Sequence, residues 1–144
     1  MGGRRKSREL ALQVLYQIDT SHQNVRDALD LFWKNFESLE RSREFSERLV
    51  KGVWQYKDKI DSIVERYSEN WRLTRISRVD RNILRLAIFE LLYCNDIPSK
   101  VSINEAIDLG KKFGSEKSGS FINGILDSIS AGINEDGYHA KETN

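Results

Sequence analysis

The sequence predicts an all-α fold of about seven helices. Three observations carry this. Apolar residues recur at helical spacing through nearly the whole chain. Only one proline, Pro98, interrupts 144 residues. Alternating strand patterns joined by hairpin turns are absent. The first stripe is Leu10, Ala11, Val14, Leu15 and Ile18, and the second Val25, Ala28, Leu29, Phe32, Trp33 and Phe36. A third, Phe45, Leu49, Val50, Val53 and Trp54, runs with hardly a break past Tyr56 into a fourth, Ile60, Ile63, Val64 and Tyr67. The fifth starts near Ile76 and carries Val79, Ile83, Leu86, Ala87 and Leu91. Its second half, Leu86 to Tyr93, is apolar on nearly all sides, as expected of a central, buried helix.

A turn over Asn95, Asp96, Ile97, Pro98 and Ser99 follows. Ser102, with Glu105 three places on, reads as a capping box opening the sixth helix, which ends at Gly114 as a C-terminal glycine. The seventh begins after Ser115 and ends near Gly132. Asn123-Gly124 sits inside its periodicity, so Gly124 is expected to allow close helix packing. No internal repeat is evident. The expected organisation is one helical domain over residues 1–133, two small bundles sharing the fifth helix, and a flexible tail over 134–144.

Composition narrows the function. A hydrophobic fraction of 39% with 31% charged residues fits a folded, charge-rich helical protein rather than a disordered one. Net charge is only +1, so any polyanion site must arise from local clustering of Lys and Arg. Cys94 is the single cysteine, which excludes an intramolecular disulfide and a cysteine zinc site and reads as a buried filler. His22 and His139 lack nearby ligand partners, so no metal is expected. No stretch approaches the ~20 apolar residues of a membrane span, and no signal-peptide core is present. Met1-Gly2 fails as a myristoylation signal because Lys6 stands where a hydroxyl is needed. A cytoplasmic protein is expected.

No catalytic set emerges, and no cofactor is expected. Gly110 to Ser118 superficially resembles a phosphate-binding loop, but Glu116 stands where glycine must precede the lysine and no strand leads in. Asp58, Asp61 and Glu65 read as an acidic helix face.

Three basic and aromatic constellations remain. Arg4, Arg5, Lys6 and Arg8 crowd the N-terminal end of the first helix, where the macrodipole disfavours cations, and Tyr16 follows about two turns beyond Arg8. Arginines offer bidentate phosphate contacts and a tyrosine can stack on an unpaired base. The second is Arg72, Arg75, Arg78, Arg81 and Arg85; the last three share a face opposite the apolar stripe and read equally as a solvated, salt-bridged surface. The third is Lys111, Lys112, Phe113 and Gly114, then Lys117, Ser118 and Phe121, where a turn meets the amino end of the last helix. On pattern alone Phe113 and Phe121 read as core ahead of base-stacking rings. Together these favour single-stranded RNA over a DNA groove.

These residues carry a family resemblance. Residues 4–16, Val79-Asp80-Arg81 and the positions through Ala87, residues 96–107 with Ile103-Asn104-Glu105-Ala106-Ile107, and Phe121-Ile122-Asn123-Gly124-Ile125-Leu126-Asp127 match, in order and spacing, the NusB family of bacterial transcription antitermination factors. The resemblance implies two three-helix bundles in one compact core. It implies binding of boxA RNA together with NusE, the ribosomal protein that doubles as an elongation factor. It also implies joining RNA polymerase with other Nus factors, to read through terminators, notably on ribosomal RNA operons. Carried over by position, the RNA-binding residues are Arg4, Arg5, Lys6, Arg8, Tyr16, Asp80, Phe113, Lys117 and Phe121, to which the basic constellations add Arg81, Lys112 and Ser118. Lys117 departs from the acidic or polar residue that the resemblance implies there. The same fold also occurs as an accessory module of ribosomal-RNA methyltransferases. This chain has neither room for the catalytic domain nor a cofactor motif, so the stand-alone form is expected. The competing reading is a helical homodimeric scaffold with Trp33, Phe36 and Trp54 at its interface and incidental RNA affinity.

Overall fold

The computed structural model describes residues 2–35, 40–68 and 72–136. Phe36 and His139 lie outside the described residues, as does the tail beyond 136. Among the described residues there are seven α-helices, one 3₁₀ turn and no strand. They are α1 (Gly2–Ser21), α2 (Val25–Asn35), α3 (Glu40–Gln55), α4 (Lys57–Tyr67), α5 (Arg78–Tyr93), α6 (Ser99–Phe113) and α7 (Ser118–Asp136); the 3₁₀ turn Leu73–Arg75 leads into α5.

The ends are set by local chemistry. α1 closes with His22 at φ 59°, a left-handed cap whose N–H donates to the Ile18 carbonyl at 2.8 Å. Asn24 caps α2, its Oδ1 accepting from the N–H of Arg26 at 2.8 Å. Only Tyr56 separates α3 from α4. Ser77 caps α5, accepting from the Asp80 N–H at 3.1 Å.

Two expectations about α6 are corrected. The helix starts three residues before Ser102, with Pro98 as N-cap. Ser102 is buried and donates to Glu90 at 2.8 Å, while Glu105 turns to Arg5, so this pair serves distant partners rather than a capping box. Gly114 does follow the helix, but its φ of −92° is not left-handed. Glycine is needed there for space: a Cβ would stand 2.6 Å from Ser118 Cβ and 2.8 Å from the Gly110 carbonyl. α7 runs to Asp136, past the end expected near Gly132.

Helices α1, α2 and α3 pack on one another, and α4, α6 and α7 gather around α5, which also contacts α1 and α3. The buried residues form one cluster. Helix α5 is its axis, buried without interruption from Asn82 to Leu92. Cys94 lies in this core as expected. Of the aromatic residues of the scaffold reading, Trp33 packs edge-on against Phe32, and Trp54 is half-buried beside Lys57.

The ion pairs that join the elements explain charges that look misplaced in sequence. Arg8 is buried, donating through Nε and Nη2 to Glu90 on α5 at 2.9 and 2.8 Å. Arg85 is also buried rather than part of a solvated face. It donates to Asp61 on α4 at 2.7 Å and to Asp19 on α1 at 3.2 Å. Arg81 completes the group with two 2.7 Å bonds to Asp19. The face expected to be acidic is thus partly internal, since Asp61 serves Arg85 and Lys57.

Candidate nucleic-acid interface

Three clefts follow one another where α1 meets α6 and where the start of α5 meets the α6–α7 turn. The first holds Arg5, Arg8 and Glu9 of α1 against Glu105, Asp108 and Lys112 of α6. Arg5 donates to Glu105 through Nε at 3.2 Å and Nη2 at 2.6 Å, and to Asp108 at 3.1 Å. The Glu105 hydrogen bonds push the Arg5 pKa up and hold that of Glu105 down. Lys112 donates to Glu9 at 2.9 Å. Arg8 forms the floor, where burial opposes its charge most strongly, but the Glu90 hydrogen bonds together with the charges of Glu90 and Glu105 raise its pKa on balance.

The second cleft is apolar, lined by Leu12, Gln13, Tyr16, Phe32, Val79 and Phe113. Tyr16 and Phe113 are exposed at 42% and 38%, large rings left facing solvent while the apolar stripe of α1 is buried. Lys112 lies 5.4 Å from the Phe113 ring centre, so cation and ring sit side by side.

The third lies between the start of α5 and the turn into α7, lined by Arg75, Ile76, Ser77, Asp80, Lys117 and Phe121. Asp80 is nearly buried, and its Oδ1 finds no hydrogen-bond donor among the described residues. Lys117 and Arg75 are exposed and form no ion pair with a described carboxylate.

The residues singled out from sequence therefore divide. Arg5, Tyr16, Asp80, Lys112, Phe113, Lys117 and Phe121 line the clefts, and Lys6 is exposed on α1 without an ion pair to a described carboxylate. Four others are held in internal contacts. Arg4 sits over the Phe45 ring at 4.6 Å and donates to Asp96 at 2.9 Å. Arg8 and Arg81 are occupied as described above. Ser118 is buried, its Oγ accepting from the Ser115 N–H at 2.8 Å and tying the turn before α7. Ser77, Gln13 and Arg48 were not distinguished in the sequence. Arg48 donates to Asp96 at 3.0 Å, holding that carboxyl well below its usual range with help from Arg4. Nothing local marks Arg48, because its partner comes from the turn before α6. Arg75 stood in the arginine run but was not separable from its neighbours.

The arrangement offers cationic donors at both ends of an aromatic groove. Among the described residues no cluster of His, Cys, Asp or Glu is arranged to hold a metal ion, and no helix is long and apolar enough to cross a membrane.

Comparison with known proteins agrees with this architecture. The transcription antitermination protein NusB of Syntrophus aciditrophicus is 50% identical over 94% of this chain and 84% of its own length. The solved T. maritima NusB superposes with a TM-score of 0.81 at 38% identity, covering 89% of this chain and 90% of that one. A structure of the antitermination factors NusB and NusE in complex with dsRNA matches with a TM-score of 0.81 at 30% identity, over 91% of this chain and 98% of that one. A model of the NusB family matches residues 5–131, and the chain belongs to that family.

Proposed function

We propose that the chain is a non-enzymatic RNA-binding antitermination factor. It binds boxA-type single-stranded RNA jointly with NusE, joins RNA polymerase with other Nus factors, and promotes read-through of terminators, notably in ribosomal RNA operons. Residues 1–133 act as the RNA-binding domain. The observation that carries this is the placement of Tyr16 and Phe113 as open rings between Arg5 and Lys112 on one side and Arg75 and Lys117 on the other. Rings stack on unpaired bases, and flanking cations hold phosphates. The family relationship supports it, since a solved relative was determined with NusE and RNA.

The test is a titration of short boxA-like and scrambled RNAs, with and without NusE, over a series of salt concentrations. Selective binding that NusE strengthens is expected. The double variant Lys6→Ala, Lys117→Ala should flatten the salt dependence by roughly 1.4 in the log–log slope, at about 0.7 per single-strand contact. Failure of the wild-type protein to bind either RNA, even with NusE, overturns the reading.

A further inference from the structure

We propose that Asp108, beside Glu105, is an internal competitor of RNA: it occupies Arg5 where a phosphodiester would, and so lowers sequence-independent affinity. The inference rests on the RNA-binding reading above. Carboxylate and phosphate offer the guanidinium the same forked geometry, so one can exchange for the other at a single arginine. Arg5 is open to that exchange, with its side chain 57% exposed, while two of its three nitrogens are engaged with α6: Nε and Nη2 on Glu105, Nη2 also on Asp108 at 3.1 Å.

The two carboxylates differ in kind. Glu105 is largely covered and also takes a 3.4 Å bond from buried Arg8, so it belongs to the α1–α6 seam. Asp108 is 51% exposed and bonds only Arg5 among the described residues. An exposed pair of this sort contributes little to stability. Its effect falls on the electrostatics of the cleft, where four cations stand against three carboxylates. A cleft so close to neutral holds a bare phosphate backbone weakly, leaving the aromatic groove and the partner protein to supply selectivity.

The test compares Asp108→Asn with wild type in both the native and the Arg5→Ala background. The ligands are boxA-like and scrambled single-stranded RNA, and thermal unfolding checks that each variant is folded. Asp108→Asn is expected to tighten both RNAs by a similar factor, about 3–10-fold at low salt, and to steepen the slope by about 0.7, as one freed phosphate contact requires. In the Arg5→Ala background this gain should disappear. Unchanged affinity on Asp108→Asn overturns the inference and leaves the RNA-binding reading standing. So does a gain that persists in full without Arg5, which marks a general charge effect. Absence of RNA binding by the wild type overturns both.

Discussion

Arg8 and Glu90 face each other across the seam between α1 and α5 as a bidentate pair, with side chains only 5% and 2% exposed. A buried pair of this geometry holds its elements in register, and losing one partner strands the other charge in the core. Glu90→Ala also removes the acceptor of Ser102. It should cost about 3–5 kcal/mol in urea unfolding. The double replacement Arg8→Met, Glu90→Leu should cost less than either single change, because no uncompensated charge remains.

Acid unfolding should report on Asp19. Burial works against its charge, but hydrogen bonds from Arg81 and Asn82, with Arg85 nearby, overcome this and lower its pKa from 3.8 to about 2. A folded-state value below the unfolded one means that the stabilisation is complete above about pH 4 and is lost as pH falls toward about 2. Wild type should lose about 1–2 kcal/mol across that window from this group. Asp19→Asn should be less stable at neutral pH and should show a shallower decline between pH 4 and 2, read from urea midpoints.

Two glycines should respond in opposite directions. A Cβ at Gly52 on α3 would run into the ring of Phe89, which is itself stacked with Tyr56 and tilted against Tyr93. Gly52→Ala should therefore destabilise by about 1–3 kcal/mol. At Gly124 a Cβ meets nothing within 4 Å, so Gly124→Ala should stabilise α7 by about 0.5–1 kcal/mol. Thermal unfolding checks both.

Ring and charge contacts to RNA should separate in their salt behaviour. Tyr16→Ala or Phe113→Ala should each weaken binding by about 1–3 kcal/mol with little change in slope, since stacking releases no counterions. Lys6→Ala should weaken both boxA-like and scrambled RNA alike and reduce the slope by about 0.7. Fluorescence anisotropy at several salt concentrations distinguishes them.

How much of this was legible depended on whether the cause was local. The burial of α5 was readable because Leu86 to Tyr93 is apolar on nearly every side, and the exposed rings Tyr16 and Phe113 were singled out by their cationic neighbours. What could not be read was charge pairing at long range. Arg8 resembles Arg4 and Lys6 in sequence, yet its partner Glu90 lies 82 residues away. Ser102 and Glu105 have the spacing of a capping box but turn to Glu90 and Arg5. Gly124, expected to admit a close helix, faces open space, whereas Gly52 carries the close approach. Periodicity locates the buried side of a helix but does not identify its neighbour.

The opening turn of α1 is tied to residues near the other end of the fold: Arg8 to Glu90, Arg4 to Asp96, Arg5 to Glu105. A nascent chain that has emerged from the ribosome only as far as α4 offers none of these acceptors. Its first cations then stand unneutralised beside a helix terminus that repels them. The finished charge pattern of α1 thus appears only after α5 and α6 have been translated, and synthesis itself delays maturation of this surface until the second half of the molecule has closed on the first.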